Sequence, residues 1–269
     1  MYTYNDHTFL VCAYKESKFL EDCIISLKRQ SGQSDILICT STPNEYIQNI
    51  ADKYSIEVRV NEDGLKHGSD IAKDWNFALS QCETSLATIA HQDDVYKKEY
   101  LEKVLNTFNT CTHPLITFTD YSEIKNGIEV KDNKLLKIKR TLLTSLKNPK
   151  NWNSVSKRRR CLSFGNPICC PSVTYCLDNV KQPIFEVGMK SNIDWGAWET
   201  LSKLQGEFAY IPEILMSHRI HEESTTTAVI AGKRGRSLED YEMFCKFWPK
   251  WVSRMIEHFY KESEKQNGN

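Results

Sequence analysis

The chain has no long apolar run. None of its segments reaches the roughly 18 consecutive apolar residues that a membrane-spanning helix requires. The first apolar run, Phe9–Ala13, is too short for the core of a secretory signal peptide, and polar residues precede it. We therefore expect a cytoplasmic protein without a membrane span, whose contact with the inner face of the membrane would be peripheral.

An excess of charge of either sign is also missing. Lysine and arginine together number 35, as do aspartate and glutamate, so the formal net charge is zero. Nucleic-acid-binding domains normally carry a basic surplus, and we expect no nucleic-acid partner. The hydrophobic fraction of 40% and the charged fraction of 26% are typical of an ordinary globular domain.

Paired C-x-x-C spacing is absent although the chain has 10 cysteines. Several cysteines lie inside apolar runs, where a thiol packs as a small hydrophobic group: Cys12, Cys39 and Cys176. In a cytosolic protein thiols stay reduced. The sequence therefore favours neither a disulfide framework nor a zinc site.

Short apolar runs alternate with helical patterns over residues 7–119. Strands are predicted at His7–Ala13, Asp35–Cys39, Ile56–Val60, Leu86–Ala90 and Leu115–Thr119. The segments between them show helical spacing, except that Gly64 and Gly68 predict a loop. This order predicts an α/β fold with a mainly parallel central sheet flanked by helices.

In such sheets, ligands bind at the carboxyl ends of the strands. The residues that follow the predicted strands therefore form one candidate rim: Ala13, Tyr14, Ser41, Asn61, Asp93 and Asp94. We expect the functional site along this edge.

Asp93 and Asp94 follow a buried strand directly. Adjacent carboxylates repel each other, and burial raises their energy further. A hard divalent cation, Mn²⁺ or Mg²⁺, would relieve both effects through oxygen ligands. Alternatively, Asp94 caps the helix that begins near Lys97. The residues alone leave both interpretations open.

Three segments resemble motifs of glycosyltransferase family 2, a family with the GT-A fold. They are Cys12–Glu16 after the first strand, Lys73–Ala78 on the helix before the fourth strand, and His91–Val95, which is similar to a D-x-D metal motif. The resemblance covers most of residues 7–225. It departs from the family at Lys15, where asparagine is usual, and at Thr40–Thr42, where acidic residues are usual.

The resemblance implies an inverting glycosyltransferase that moves a sugar from a UDP-sugar to a saccharide or lipid-linked saccharide acceptor, in bacterial surface polysaccharide or glycolipid synthesis. It implies Mn²⁺ or Mg²⁺ as cofactor, held by Asp94 and His221. Together with the rim, it assigns nucleotide-sugar binding to Ala13, Tyr14, Glu16, Ser41, Asn61, Asp74, Asn76, Gln92, Asp93 and Arg219.

The segment Asn192–Glu199 is similar to the motif that carries the family's catalytic acid. By this resemblance Asp194 takes the proton from the acceptor hydroxyl. Its alternative role is a helix N-cap. We expect Glu199 on the helix surface.

The resemblance also implies a division of the chain. Residues 1–225 would form the catalytic domain, with a nucleotide-binding half (1–120) and an acceptor-binding half (121–225). Residues 226–269 would form a mobile loop and an aromatic helix, and Ser224–Thr227 would close over the donor as a lid.

Two further stretches have open interpretations. The basic run Lys157–Arg160 either faces an acidic acceptor or is a solvated loop. The helix predicted over Leu238–Tyr260, interrupted by Pro249, packs on the core, forms a homodimer or lies on a membrane surface.

Two other functions compete with glycosyl transfer. A nucleotidyltransferase would share the α/β start and a metal-binding aspartate, but it should have a glycine-rich loop soon after the first strand. Here that strand runs into Tyr14-Lys15-Glu16. A non-catalytic module would bind a nucleotide sugar without transferring the sugar.

Overall fold

The computed structural model describes residues 1–221 and 233–267. The strands in these ranges are β1 (His7–Ala13), β2 (Asp35–Thr40), β3 (Glu57–Val60), β4 (Leu86–His91), β5 (Val95–Tyr96), β6 (Pro114–Lys125), β7 (Ile128–Val130), β8 (Val173–Cys176) and β9 (Glu207–Ile220).

The α-helices are α1 (Leu20–Lys28), α2 (Glu45–Tyr54), α3 (Glu62–His67), α4 (Ile71–Ser80), α5 (Tyr100–Phe108), α6 (Lys134–Leu142), α7 (Val155–Leu162), α8 (Ile193–Leu201), α9 (Lys233–Cys245) and α10 (Lys250–Asn267). Short 3-10 helices lie at Tyr4–Asp6, Leu143–Lys147, Pro149–Asn151 and Cys170–Ser172.

The strands form one sheet in the order β3-β2-β1-β4-β8-β6-β9-β5, with β7 paired to β6. The half built from β1 to β4 is parallel throughout, as the strand–helix alternation predicts. The predicted α/β fold, with helices around a central sheet, is confirmed. The carboxyl ends of these four strands lie along one edge, which is where the candidate rim was expected.

The other half of the sheet mixes strand directions. Strand β8 runs antiparallel to both β4 and β6, whereas β6 and β9 are parallel to each other. The two-residue strand β5, which directly follows Asp93 and Asp94, pairs antiparallel with β9. This pairing connects the end of β4 to the far edge of the sheet and sets the geometry of the site described below.

The loop predicted around Gly64 is wrong. Gly64 lies within α3, whose first turn is capped by the side chain of Asn61, which accepts a hydrogen bond from the Gly64 amide at 3.1 Å. The helix ends at Gly68, whose φ of +82° favours glycine. The cap at Asn61 therefore overrides the breaking tendency of Gly64.

The basic run Lys157–Arg160 lies in α7 and is not a loop. Arg158 is fully buried and donates hydrogen bonds to the backbone carbonyls of Trp152, Ser202, Leu204 and Gly206. Its guanidinium group therefore closes the carboxyl end of α8 and cannot face an acceptor.

Glu199 also differs from its prediction. It is 1% exposed and pairs with Arg159 at 2.6 Å and with Lys203 at 2.8 Å. The expected surface position is wrong because α7 covers this face of α8.

The C-terminal helical stretch breaks at Pro249 as predicted, between α9 and α10. Core packing is confirmed for its first part, since Phe244 is fully buried and the Trp248 indole donates to the carbonyl of Ser163 at 2.7 Å. The predicted loop is wrong for residues 233–236, which are helical, and the predicted lid Ser224–Thr227 lies outside the described residues. No helix within the described ranges combines the length and apolarity needed to cross a membrane.

Removing the buried guanidinium group should destabilise the fold. We expect Arg158→Ala to lower the free energy of unfolding by about 3–5 kcal/mol, because several buried carbonyls lose a charged donor and a cavity forms. The matched control is Arg160→Ala, two residues along the same run and exposed, with an expected change within about 0.5 kcal/mol. Urea unfolding measures both; equal losses would contradict the assignment of Arg158 to the interior.

Candidate active site

The carboxylate of Asp94 is fixed by the pairing of β5 with β9. A turn closed by a hydrogen bond from the Asp94 amide to the His91 carbonyl, at 3.1 Å, leads from β4 into β5. Because Val95 pairs with Ser217, Asp94 meets the residues that follow Ser217 on β9. Its Oδ1 accepts a hydrogen bond from the Arg219 amide at 2.9 Å and lies 3.0 Å from Nδ1 of His218.

The second oxygen of Asp94 has no hydrogen-bond partner among the described residues. Asp94 is 0% exposed, so water does not solvate Oδ2 from the surface. The nearest ion-pair contact of this oxygen is Nδ1 of His91, at 3.7 Å. An unpartnered carboxylate oxygen in the interior is unfavourable, and a bound cation would satisfy it.

The chemistry of the surrounding groups fits a divalent metal ion. His91, Asp93 and Asp94 each offer one ligand atom, and these atoms all lie within 4.8 Å of one another. Burial lowers the pKa of His91 to about 4, so its imidazole is neutral and has a lone pair to give. Nε2 of His91 is itself buried without a hydrogen-bond partner in the described structure.

His218 carries the charge that balances Asp94 when no cation is bound. Burial opposes protonation of this histidine, but the charge of Asp94 and the hydrogen bond to it prevail and raise the pKa of His218 to about 9. The half-buried imidazolium and the buried carboxylate then form an ion pair. Metal binding at Asp94 would weaken this pair and favour loss of the proton.

Three residues predicted from the sequence come together beside Asp94. Nε2 of His221 lies 2.9 Å from Oδ2 of Asp93, and Nε of Arg219 donates to the Asp93 carbonyl at 2.9 Å. The Arg219 guanidinium lies over the ring of Phe19, 4.2 Å from its centroid. A guanidinium group and an imidazole that the sequence analysis singled out therefore lie together beside Asp93.

Asp74 joins two other rim residues into one polar cluster. Ser41 donates to its Oδ2 at 2.9 Å, and Asn61 donates to its Oδ1 at 3.0 Å. Ser69 adds a third hydrogen bond, at 2.6 Å. These contacts arise because Ser41 and Asn61 follow parallel neighbours, β2 and β3, while Asp74 lies in the first turn of α4. The cluster is the polar end of the predicted nucleoside site.

Gln92 holds the segment after β1. Its side chain accepts a hydrogen bond from the Tyr14 amide and donates one to the Tyr14 carbonyl, both at 3.0 Å. Ala13 is buried, whereas Tyr14 is 51% exposed and Glu16 is exposed. The Tyr14 ring therefore stands at the rim, available to a ligand.

The structure does not bring Asn76 into the Asp74 cluster. Its side chain accepts from the amides of Ile184 and Phe185 and donates to the Phe185 carbonyl. The Phe185 ring packs against Trp75, which stacks on His91 with ring centroids 5.1 Å apart. Asn76 therefore fixes the backbone of Phe185, and the Phe185 and Trp75 rings pack in sequence against the ring of His91.

Asp194 lies in the first turn of α8. Asn166 donates to its Oδ2 at 2.7 Å, and the Trp195 amide donates to its Oδ1 at 2.8 Å. Burial raises the pKa of Asp194 and outweighs these hydrogen bonds, which lower it. The carboxylate is therefore oriented by an amide and is a stronger base than an exposed aspartate.

Asp94 and Asp194 both lie near one buried thiol. Burial raises the pKa of Cys169, and the charges of Asp94 and Asp194 raise it further while Lys139 lowers it. The two carboxylates that the sequence assigns to metal binding and to proton transfer thus both act on the pKa of the same thiol.

Several site residues were missed in the sequence. His91 and His218 lie 3.7 Å and 3.0 Å from carboxylate oxygens of Asp94, and Asn166 donates a hydrogen bond to Asp194. His91 directly precedes the Gln92-Asp93-Asp94 motif, which was an available signal. The role of His218 was hidden because it depends on the pairing of a two-residue strand.

Solved structures share this fold. The S. aureus TarS fragment 1–349 matches with a TM-score of 0.63 and 14% identity, over 94% of this chain and 69% of its own. The mannosyltransferase PcManGT from Pyrobaculum calidifontis, solved with GDP-Man and Mn²⁺, matches with a TM-score of 0.60 and 11% identity, over 94% and 70%.

Glucosyl-3-phosphoglycerate synthase from Mycobacterium tuberculosis, solved with Mn²⁺, UDP and glucosyl-3-phosphoglycerate, matches with a TM-score of 0.57 and 11% identity, over 90% of this chain and 80% of its own. At these identities the likeness shows the fold alone.

No curated protein matches the sequence. The sequence model of the family described as "Glycosyl transferase family 2" matches residues 8–172, which is more than half of the chain. The matched range includes nearly all of β1, the strands β2 to β7, and the carboxylates of Asp74, Asp93 and Asp94. The chain belongs to glycosyl transferase family 2.

Proposed function

We propose that the protein is an inverting glycosyltransferase that moves a hexosyl group from a UDP-sugar to a hydroxyl of a saccharide or lipid-linked saccharide, with Mn²⁺ or Mg²⁺ as cofactor. The observation that supports this most is the fully buried Asp94, whose unpartnered oxygen lies beside His91 at the carboxyl end of β4. A carboxylate in this state is suited to a cation.

UDP is the proposed nucleotide for two reasons. TarS has been solved with UDP-GlcNAc, and glucosyl-3-phosphoglycerate synthase with UDP. The cluster of Ser41, Asn61 and Asp74 offers hydroxyl, amide and carboxylate groups that can hydrogen-bond a ribose and a pyrimidine. PcManGT, in contrast, was solved with GDP-Man, so guanine nucleotides are the comparison that the experiment must include.

Asp94 would hold the ion, and the ligand atoms that cluster with it belong to His91 and Asp93. His221, which we expected from the sequence as the second ligand, lies 2.9 Å from Oδ2 of Asp93. When bound, the ion neutralises the charge that develops on the departing diphosphate. Arg219 and His221 lie beside Asp93 and would hold the phosphate oxygens. The stacked ring of Trp75 keeps the His91 imidazole in place.

Asp194 would act as the general base. Its raised pKa makes it a better proton acceptor, and Asn166 fixes the direction of its carboxylate. Attack by the deprotonated hydroxyl on the face opposite the leaving diphosphate gives inversion. We also propose that residues 1–120 bind the nucleotide and residues 121–225 the acceptor, since Asp194 and Asn166 belong to the second range.

We place the reaction in the synthesis of a bacterial surface polysaccharide or glycolipid. Trp251 is 68% exposed and Met255 is 53% exposed, one turn apart on α10, and Arg254 lies between them in sequence. An apolar pair flanked by a cation suits peripheral contact with an anionic membrane that presents a lipid-linked acceptor.

Donor and metal specificity can be read from thermal stability. We expect UDP-sugars plus Mn²⁺ to raise the melting temperature, because a ligand that binds only the folded state stabilises it. UDP-GlcNAc, UDP-glucose and GDP-mannose should be compared, each with Mn²⁺ and with EDTA. Stabilisation by GDP-mannose alone would contradict the proposed base, and equal shifts with EDTA would contradict the metal.

Loss of the Asp94 charge should abolish metal-dependent turnover. We expect Asp94→Asn to reduce UDP release from the donor by about two to three orders of magnitude, because the amide is a poor ligand for the ion. The control is Asp35→Asn, an exposed aspartate at the opposite end of the sheet. Full Mn²⁺-dependent turnover in Asp94→Asn would remove this residue from the site.

Asp194 should affect chemistry and leave donor binding intact. We expect Asp194→Asn to lower kcat by about 10²–10⁴-fold while the donor-induced thermal shift is unchanged. Wild-type activity should be lost as the pH falls through the raised carboxyl pKa, since protonated Asp194 cannot accept a proton. Asp178→Asn, an exposed residue after β8, is the control; wild-type kcat in Asp194→Asn would contradict the role.

A further inference from the structure

A carboxylate from the C-terminal helix α9 binds the segment that leads into α8. Glu239 accepts hydrogen bonds from the amides of Lys190 and Ser191 at 2.8 Å each, from the Asn192 amide at 3.2 Å and from the Ser191 hydroxyl at 2.6 Å. These are all backbone or side-chain groups of three consecutive residues. Asp194 follows two residues later.

Glu239 holds the three residues that lead directly into α8. Asn192, at the N-cap position, makes no side-chain hydrogen bond to the helix backbone. Its side chain instead donates to Asp240 of α9 at 2.8 Å, and Asp240 is 2% exposed. A carboxylate beside the N-terminus of a helix interacts favourably with the helix dipole, and the path of residues 190–192 sets where the first turn of α8 begins.

Helix α9 is itself anchored in the core beside Asp194. Met243 and Phe244 are 0% exposed. The Phe244 ring meets Trp195, the residue after Asp194, edge to face with centroids 5.3 Å apart. Glu239 and Asp240 therefore lie on a helix that is packed against the core.

The charge of Glu239 is consistent with this contact. Burial opposes ionisation, but the hydrogen bonds from Ser191 and from the backbone amides prevail and lower its pKa. The carboxylate is thus ionised at neutral pH, and both of its oxygens accept hydrogen bonds.

We propose that Glu239 is a positioning residue for sugar transfer: by holding residues 190–192, it sets the position of Asp194 relative to the acceptor hydroxyl. The inference rests on the proposed role of Asp194. Glu239 would not touch either substrate. Its effect would come through the direction of the first turn of α8, where a displacement of the base by about 1 Å is enough to lower the rate strongly.

The test compares Glu239→Gln with Glu242→Gln. The first change keeps the size of the side chain but replaces one acceptor oxygen by a donor that faces backbone amides. The second alters an exposed glutamate on the same helix. With UDP-GlcNAc as donor, UDP release gives kcat and KM, and thermal unfolding gives the stability of each variant.

We expect Glu239→Gln to lower kcat at least about tenfold, with the donor KM unchanged within about threefold, and Glu242→Gln to match the wild type. In an Asp194→Asn background, Glu239→Gln should change residual turnover less than about twofold, because its effect passes through Asp194. If Glu239→Gln does not fold, Ser191→Ala removes one of the four hydrogen bonds and should lower kcat in the same direction.

Three outcomes would overturn the inference. In the first, Glu239→Gln has the same kcat as Glu242→Gln. In the second, Glu239→Gln raises the donor KM and lowers the melting temperature as well as lowering kcat. In the third, Glu239→Gln lowers turnover a further tenfold in the Asp194→Asn background. A wild-type protein that releases no UDP from any sugar nucleotide would instead overturn the proposed function, and the inference with it.

Discussion

A carboxylate with no exposed surface and one unpartnered oxygen is unfavourable in a protein interior, and Asp94 is held in this state by the backbone of β9. The turn after β4 and the two-residue pairing of β5 with β9 leave the side chain no route to solvent. Its Oδ1 lies 3.0 Å from Nδ1 of His218, whose pKa burial lowers but the charge of Asp94 raises to about 9. The rest of the site follows from this one constraint, since the groups that approach Asp94 are those suited to a cation and a diphosphate.

The two halves of the sheet contribute different functional groups to the candidate site. The parallel half ends in the polar cluster around Asp74 and in the Gln92–Tyr14 pair, because parallel strands present their carboxyl ends on one edge. The mixed half delivers Asp194 on α8 and Asn166 before β8. The long strand β9 pairs with β6 along its whole length and with β5 near its end, where it meets the segment that follows β4.

Prediction from the sequence succeeded where local patterns are strong. Strands β1 to β4 have clear hydrophobic patterns, and the structure has them nearly where they were expected. Arg158, Glu199 and His218 were misjudged or missed for a common reason. Their surroundings come from α7 packing on α8 and from the β5–β9 pair, which are long-range contacts that no single segment encodes.

The residues that hold Asp194 were hidden in the same way. Glu239 follows Asp194 by 45 positions and belongs to a helix whose aromatic pattern predicts core packing but indicates no role for its acidic residues. The predicted rim residues, by contrast, required only the rule that ligands bind at strand ends. Motif resemblance and topology thus predict a candidate site, whereas the contacts that hold its residues in place depend on packing between distant segments.

The most direct measurement is the anomalous scattering of Mn²⁺ in a crystal grown with UDP. The account predicts a single strong peak in the site, about 2.0–2.3 Å from Oδ2 of Asp94, with His91, Asp93 or His218 close to it. A peak more than about 6 Å from Asp94, or none while UDP is bound beside Asp74, would contradict the claim that this buried carboxylate exists to hold a cation.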